Sequence, residues 1–269
     1  MKARIAALAF ALLAVAAASL SAHDMFLKLD NYFPTRGDTI RVPLLNGTFT
    51  KSENGIGWER VREYVVVAPN GVSHPDPREW SIVRDTTRFE LPLKTEGTWV
   101  VGVATKPNVI ALKGADFNAY LKEEGITDIL ALRKKHGQLD KSVRERYAKN
   151  VKAVFQVGDE RTAQVSTALG FPAEIVPLDN PYVGQRSGTL RMRCDVDGKP
   201  VAGLTVLVGS QKGHDKPKER SLVTDAHGVI TIRINRSGRW YVKFVRMAPV
   251  AGGDVDYESK WATLTFEVR

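Results

Sequence analysis

Five histidines and a single cysteine are the obvious metal-ligating and nucleophilic side chains of this sequence. His23 is the sharpest of them, because it follows directly on an Ala-rich apolar run ending in Ser21 and Ala22. If the chain is cut after Ala22, the α-amine and an imidazole nitrogen of His23 can chelate one metal ion as a pair. A second imidazole would complete a three-nitrogen T-shape suited to copper or nickel. The ring must be neutral to bind, so affinity falls at acid pH. Asp24 can add an oxygen ligand or orient a neighbour. A cut after Ser21 is the alternative: it leaves Ala22 first and changes the geometry of the chelate.

Candidates for the second imidazole are His74, between the turn Pro69-Asn-Gly71 and Pro75-Asp76-Pro77, and His214, in the polar loop Gly213-His-Asp-Lys-Pro217. His136, before Gly137, reads as a helix end where a cation suits the dipole. His227, before Gly228, reads as turn chemistry. No two histidines share an i, i+4 spacing, so only the fold can assemble a site. Cys194 lies in the strand pattern Arg191-Met-Arg-Cys-Asp-Val196 and reads as a small strand residue rather than an activated thiol. A serine-hydrolase elbow, His-Glu-x-x-His, a P-loop and a dinucleotide fingerprint are all missing. Trp58 and Trp80 fall in polar, turn-rich segments where stacking on a sugar is open to them.

The elements that must position these residues begin with a targeting signal. Lys2 and Arg4 precede an apolar stretch from Ile5 to Leu20, which is short for a membrane span. The expectation is an exported, periplasmic chain with residues 1–22 removed. Two of the nine net positive charges go with that segment, and the others are scattered. The basic clusters lack interleaved aromatics, so nucleic acid is not the expected partner.

Beyond the signal, short alternating runs separated by turn residues predict strands: Met25–Leu29, Thr39–Leu45, Val61–Val67, Phe89–Leu93 and Trp99–Val103. Asp116–Glu124, Thr127–His136 and Lys141–Val157 carry apolar residues at three-to-four spacing and predict helices. Strand character returns at Thr189–Val196, Leu204–Val208, Ser221–Thr224, Val229–Ile234, Trp240–Val245 and Trp261–Val268. A constant offset of about 141 residues relates Phe89-x-Leu-x-Leu-x-x-x-Gly97-x-Trp99 to Ile230-x-Ile-x-Ile-x-x-x-Gly238-x-Trp240. That repeat predicts two antiparallel sandwiches, each burying one Trp at a corresponding place. The expected layout is a signal at 1–22, a β-sandwich at 23–110, a helical insert and linker at 111–184, and a second β-sandwich at 185–269.

Ala22-His-Asp-Met-Phe-Leu27 resembles the mature start of a family of exported periplasmic proteins linked to nickel and cobalt uptake. Arg146-Tyr-Ala-Lys149, Phe155-Gln-Val-Gly158, Leu169-Gly-Phe-Pro-Ala-Glu-Ile-Val-Pro-Leu178 and Asn180-Pro-Tyr182 resemble that family's central signature. Asp197-Gly-Lys-Pro-Val-Ala-Gly203, Thr224-Asp-Ala-His-Gly228, Gly238-Arg-Trp240 and Trp261-Ala-Thr-Leu-Thr-Phe266 extend the likeness over the mature chain. The resemblance implies immunoglobulin-like or transthyretin-like sandwiches, and a His directly after the signal, which favours the cut after Ala22. It also implies a non-enzymatic role in handling nickel or cobalt for a membrane metal transporter, and the three-nitrogen chelate at His23 adds copper to these metals. One departure stands out: relatives carry a His near the Trp-Ala-Thr-Leu-Thr segment, where this chain has Lys260. Two other readings stay open, an interaction module for an exported protein or glycan and a histidine-brace copper enzyme.

Overall fold

In the computed structural model, residues 23–184 and 188–269 are described. The expected signal at 1–22 lies outside the described residues. Strands β1 (Asp24–Leu27), β2 (Thr39–Gly47), β3 (Val61–Ala68), β4 (Gly71–Ser73), β5 (Ser81–Val83), β6 (Thr86–Pro92), β7 (Gly97–Thr105) and β8 (Asn108–Leu112) come first. Helices α1 (Gly114–Glu123) and α2 (Thr127–Lys135) follow. Then come β9 (Val143–Val157), β10 (Ala173–Pro177), β11 (Gly188–Val196), β12 (Lys199–Pro200), β13 (Thr205–Gln211), β14 (Lys218–Val223), β15 (Val229–Ile234), β16 (Gly238–Pro249) and β17 (Tyr257–Val268).

The chain is mainly β, and its strand order repeats. One small sheet runs β1-β2-β6-β5, and a second joins β10, β11 and β15 in the matching order. A nine-stranded sheet runs β14-β13-β16-β17-β9-β7-β3-β4, with β8 beside β9. Each half therefore has the immunoglobulin-like division, outer strands A, B and E against C, F and G. The two final strands, β9 and β17, pair in parallel, Thr263 opposite Val151, and so fuse both halves into one sheet.

The two small sheets lie on opposite faces of this shared sheet. Tyr64, Val66, Trp99, Val101, Ala153 and Phe155 pack with Leu27, Val42, Leu44 and Phe89. Val206, Trp240, Val242, Leu264 and Phe266 pack on the other face with Ile175, Met192, Ile230 and Ile232. The repeat read in the sequence is the hinge of each half. Gly97 and Gly238 have φ of 131° and 127°, and each opens the strand that carries the buried Trp. Trp99 stacks on Phe155 with centroids 6.0 Å apart, and Trp240 on Phe266 at 6.3 Å.

The first two expected helices are present as α1 and α2. The third is not: Lys141–Val157 was expected to be helical, and Val143–Val157 is β9. The reason lies in the spacing. Val143, Tyr147 and Val151 recur every four residues, an even number, which puts them on one face of a strand as well as one face of a helix. The run Val151–Val157 is rich in β-branched and aromatic residues and is buried throughout, as the middle of a sheet requires. The helices cover the part of the shared sheet that the first small sheet leaves bare. There Phe117, Tyr120, Leu121 and Ile129 pack on Val245, Met247, Tyr257 and Trp261.

Candidate functional site

Strand β1 is held on both of its sides. β1 pairs with β2, Asp24 opposite Gly47. On its other side the hydroxyls of Thr263 and Thr265, on β17, donate to the carbonyls of Met25 and Leu27. Tyr32 donates to Thr265 Oγ1 at 2.9 Å, closing this seam. These side chains lie on the face shared with β1, because the odd-numbered positions of β17 point that way.

His23 adjoins the seam at the Asp24 end of β1. Its Nε2 is 3.1 Å from Glu53 Oε2, with the two side chains 23% and 36% exposed. Its carbonyl accepts from Lys149 Nζ, which also donates to Asn46 Oδ1 at 3.3 Å. Asp24 Oδ2 lies 2.6 Å from Lys243 Nζ, and Lys243 reaches Glu124 Oε1 at 2.9 Å. Glu145 accepts from Tyr120 Oη at 3.1 Å and from Ser259 Oγ. Thus β1, the end of α1, β9, β16 and β17 each place a charged or polar group in one buried junction.

The junction has too little positive charge for its carboxylates. Lys243 alone bridges Asp24 and Glu124, whose Oδ1 and Oε2 atoms have no hydrogen-bond partner among the described residues. Glu145 Oε2 is in the same condition. Burial, with the charge of Asp24 added, pushes the Glu124 carboxyl up to about 8. Burial pushes Lys149 down to about 8, against the pull of Asp24, Glu145 and Glu124. Burial works against the charge of Lys243 too, but Asp24 and Glu124 more than offset it and hold this lysine protonated.

Residues 20–248 match the model of the family described as a domain of unknown function, DUF4198. The chain belongs to this DUF4198 family. No curated protein matches it. Among solved structures, the D0-D1 domain of Intimin is similar over 90% of this chain and 97% of its own, at 13% identity and a TM-score of 0.22. Trypsin-activated α2-macroglobulin from Escherichia coli is similar over 90% of this chain and 15% of its own, at 10% identity and a TM-score of 0.23. The tetra-tandem repeat of a large adhesion protein is similar over 90% of this chain and 49% of its own, at 9% identity and a TM-score of 0.24. At such scores these likenesses carry no argument, and the sandwich assignment rests on the DUF4198 chain's own strand order.

The other sequence candidates are dispersed over the DUF4198 fold. His74 is 62% exposed, its Nδ1 3.9 Å from Glu63 Oε1. His214 lies in the exposed loop between β13 and β14. Among the described residues no group of three or more His, Cys, Asp or Glu side chains is arranged to hold a metal ion, so His23, Asp24, His74 and His214 do not form one centre. Lys260 is on the far face of β17 from Trp261 and forms an ion pair with Asp197 at 2.7 Å. His136 caps α2, and His227 is held in its turn by a bond from its own N–H to Asp225 Oδ1 at 2.8 Å. Cys194 is buried, and burial pushes its thiol far above the ordinary range. No helix among the described residues is long and apolar enough to cross a membrane.

Sequence reading passed over Glu53, Glu124, Lys149 and Lys243. One signal for Lys243 was present: it interrupts the apolar strand Trp240-Tyr-Val-Lys-Phe-Val245, where a buried lysine needs carboxylate partners.

Proposed function

We propose that this DUF4198 protein is exported to the periplasm, loses residues 1–22, and there carries a transition-metal ion to a membrane metal transporter. The ion is nickel, cobalt or copper, and the protein binds and releases it without catalysing a reaction. The observation that supports this reading is the double hold on His23. Its Nε2 faces Glu53 at 3.1 Å, and its carbonyl is tied to the buried Lys149. In a neutral ring whose proton sits on Nε2, facing this carboxylate, Nδ1 carries the lone pair. After a cut behind Ala22, the α-amine and Nδ1 of His23 would close a six-membered chelate ring. Glu53 would hold the ring in this orientation.

The donor set fits a carrier better than a structural centre. Two nitrogens come from one residue, and the described side chains supply no second imidazole, so water or the receiving transporter fills the other positions. Structural sites instead close all positions with protein ligands. The test is calorimetric titration of protein beginning at His23 with nickel, cobalt and copper, beside His23→Ala. The reading expects one ion per chain and at least tenfold weaker binding by the variant. Equal affinities would overturn it.

A further inference from the structure

A second place in the fold concentrates unpartnered buried polar atoms. Tyr64 Oη, Trp80 Nε1 and Arg88 Nε have no hydrogen-bond partner among the described residues. All three residues line one cleft of about 400 Å³ at the open edge of the first sandwich. Tyr64 itself is only 4% exposed. The volume lies within the roughly 300–1,000 Å³ typical of small-molecule sites. The turn carrying Asp76 and Glu79 crosses this edge between β4 and β5.

The chemistry of the lining narrows the ligand. Trp80 stacks on Phe89 with centroids 4.9 Å apart, and Tyr64 meets both rings, at 5.2 and 4.7 Å. Trp80 Nε1–H and Arg88 Nε–H can only donate, whereas the carboxylates of Glu79 and Glu90, in the same cleft, can only accept. A ligand must therefore present acceptors, donors and an apolar face together. The charges nearly cancel: Arg41 and Arg88 line the cleft together with Glu79 and Glu90, while Asp76 is taken by Arg78. A phosphate would meet the two glutamates and an amine would meet the two arginines. Hydroxyls on a carbon ring satisfy every condition. Tyr64, Glu79 and Glu90 also line a neighbouring cleft of about 420 Å³, which gives room for more than one ring.

We propose that this aromatic-floored cleft binds a neutral saccharide, with Tyr64, Trp80 and Arg88 donating to its oxygens and Glu79 and Glu90 accepting from its hydroxyls. The site is separate from His23 and does not depend on the metal reading. The experiment titrates the full mature protein with neutral trisaccharides of glucose, mannose and N-acetylglucosamine, following tryptophan fluorescence and calorimetry. Glucose 6-phosphate and an unstructured pentapeptide run beside them. The expected result is saturable binding of at least one trisaccharide, weakened at least fivefold in Tyr64→Phe and in Arg88→Met. Tyr64→Phe keeps the ring and removes only a hydroxyl without a partner, so its melting temperature should not fall. Absence of binding by every trisaccharide would overturn the proposal. So would preference for the phosphate or the peptide, or binding that both variants leave unchanged.

Discussion

Replacing Lys243 by Met tests the junction that holds β1. The side chain of Lys243 is 6% exposed and bonds to Asp24 at 2.6 Å and Glu124 at 2.9 Å, themselves 16% and 5% exposed. Methionine fills a similar volume but leaves both carboxylates buried without a cation. Removing one partner of a buried pair costs about 3–5 kcal/mol. Glu124, whose carboxyl already sits at about 8, can relieve part of this by staying protonated at neutral pH. The expected loss is therefore near the lower end, about 3 kcal/mol. For a chain of this size each kcal/mol moves the melting temperature by roughly 2–4 °C, so the fall should be about 6–12 °C. Circular dichroism melts and urea titrations at pH 7 measure both quantities. Adding Glu124→Gln to Lys243→Met should recover a substantial part of the loss, because one of the stranded carboxylates is gone. A single variant that loses less than about 1 kcal/mol, or a double variant no better than the single, would refute the reasoning.

Three further outcomes follow from the same structure. Glu124 is raised from 4.5 to about 8, so the fold favours its neutral form; its contribution is complete below about pH 4.5 and is lost as pH rises towards 8. Glu124→Gln should flatten the urea midpoint across that window, and an unchanged slope would contradict the assignment. Gly97→Ala and Gly238→Ala should each destabilise by about 1–3 kcal/mol, since both sites hold positive φ and an added Cβ would lie 2.3 Å from Pro69 Cγ or 2.4 Å from the Gln211 carbonyl. Comparable losses in thermal melts are what the structural repeat predicts, and a neutral result at either site would break it. Cys194 should resist a thiol reagent in the native protein and react on unfolding, because it is buried and its thiolate is disfavoured; rapid native labelling would show otherwise.

The sandwich pair was legible because the spacing from Phe89 to Trp99 and from Ile230 to Trp240 records the same step in both halves, from a small sheet through a positive-φ glycine into the shared sheet. β9 was misread because a period of four satisfies a helix and a strand alike, and only the β-branched content of Val151–Val157 separates them. The parallel pairing of β9 with β17 leaves no local trace, since register between distant strands is set by faces that the chain brings together late. His23 and Asp24 draw attention in the sequence because they follow the Ala-rich apolar run 5–20. Their partners at positions 53, 124, 149 and 243 come from four different elements and loops, and no spacing connects them. The aromatic cleft was half visible: Trp80 stood out as a stacking residue, but Tyr64 read as an ordinary position of the strand Val61–Val67 and Arg88 fell just outside the predicted strand Phe89–Leu93, until β3 and β6 were laid against each other.

The most direct test of the account concerns the α-amine of His23. Copper titration followed by calorimetry should compare protein that begins at His23 with protein carrying a four-residue Gly-Ser extension before it, which keeps the imidazole and moves the amine away. The account predicts one copper ion per chain for the first and at least tenfold weaker binding for the second. Equal affinity in the two proteins would contradict it.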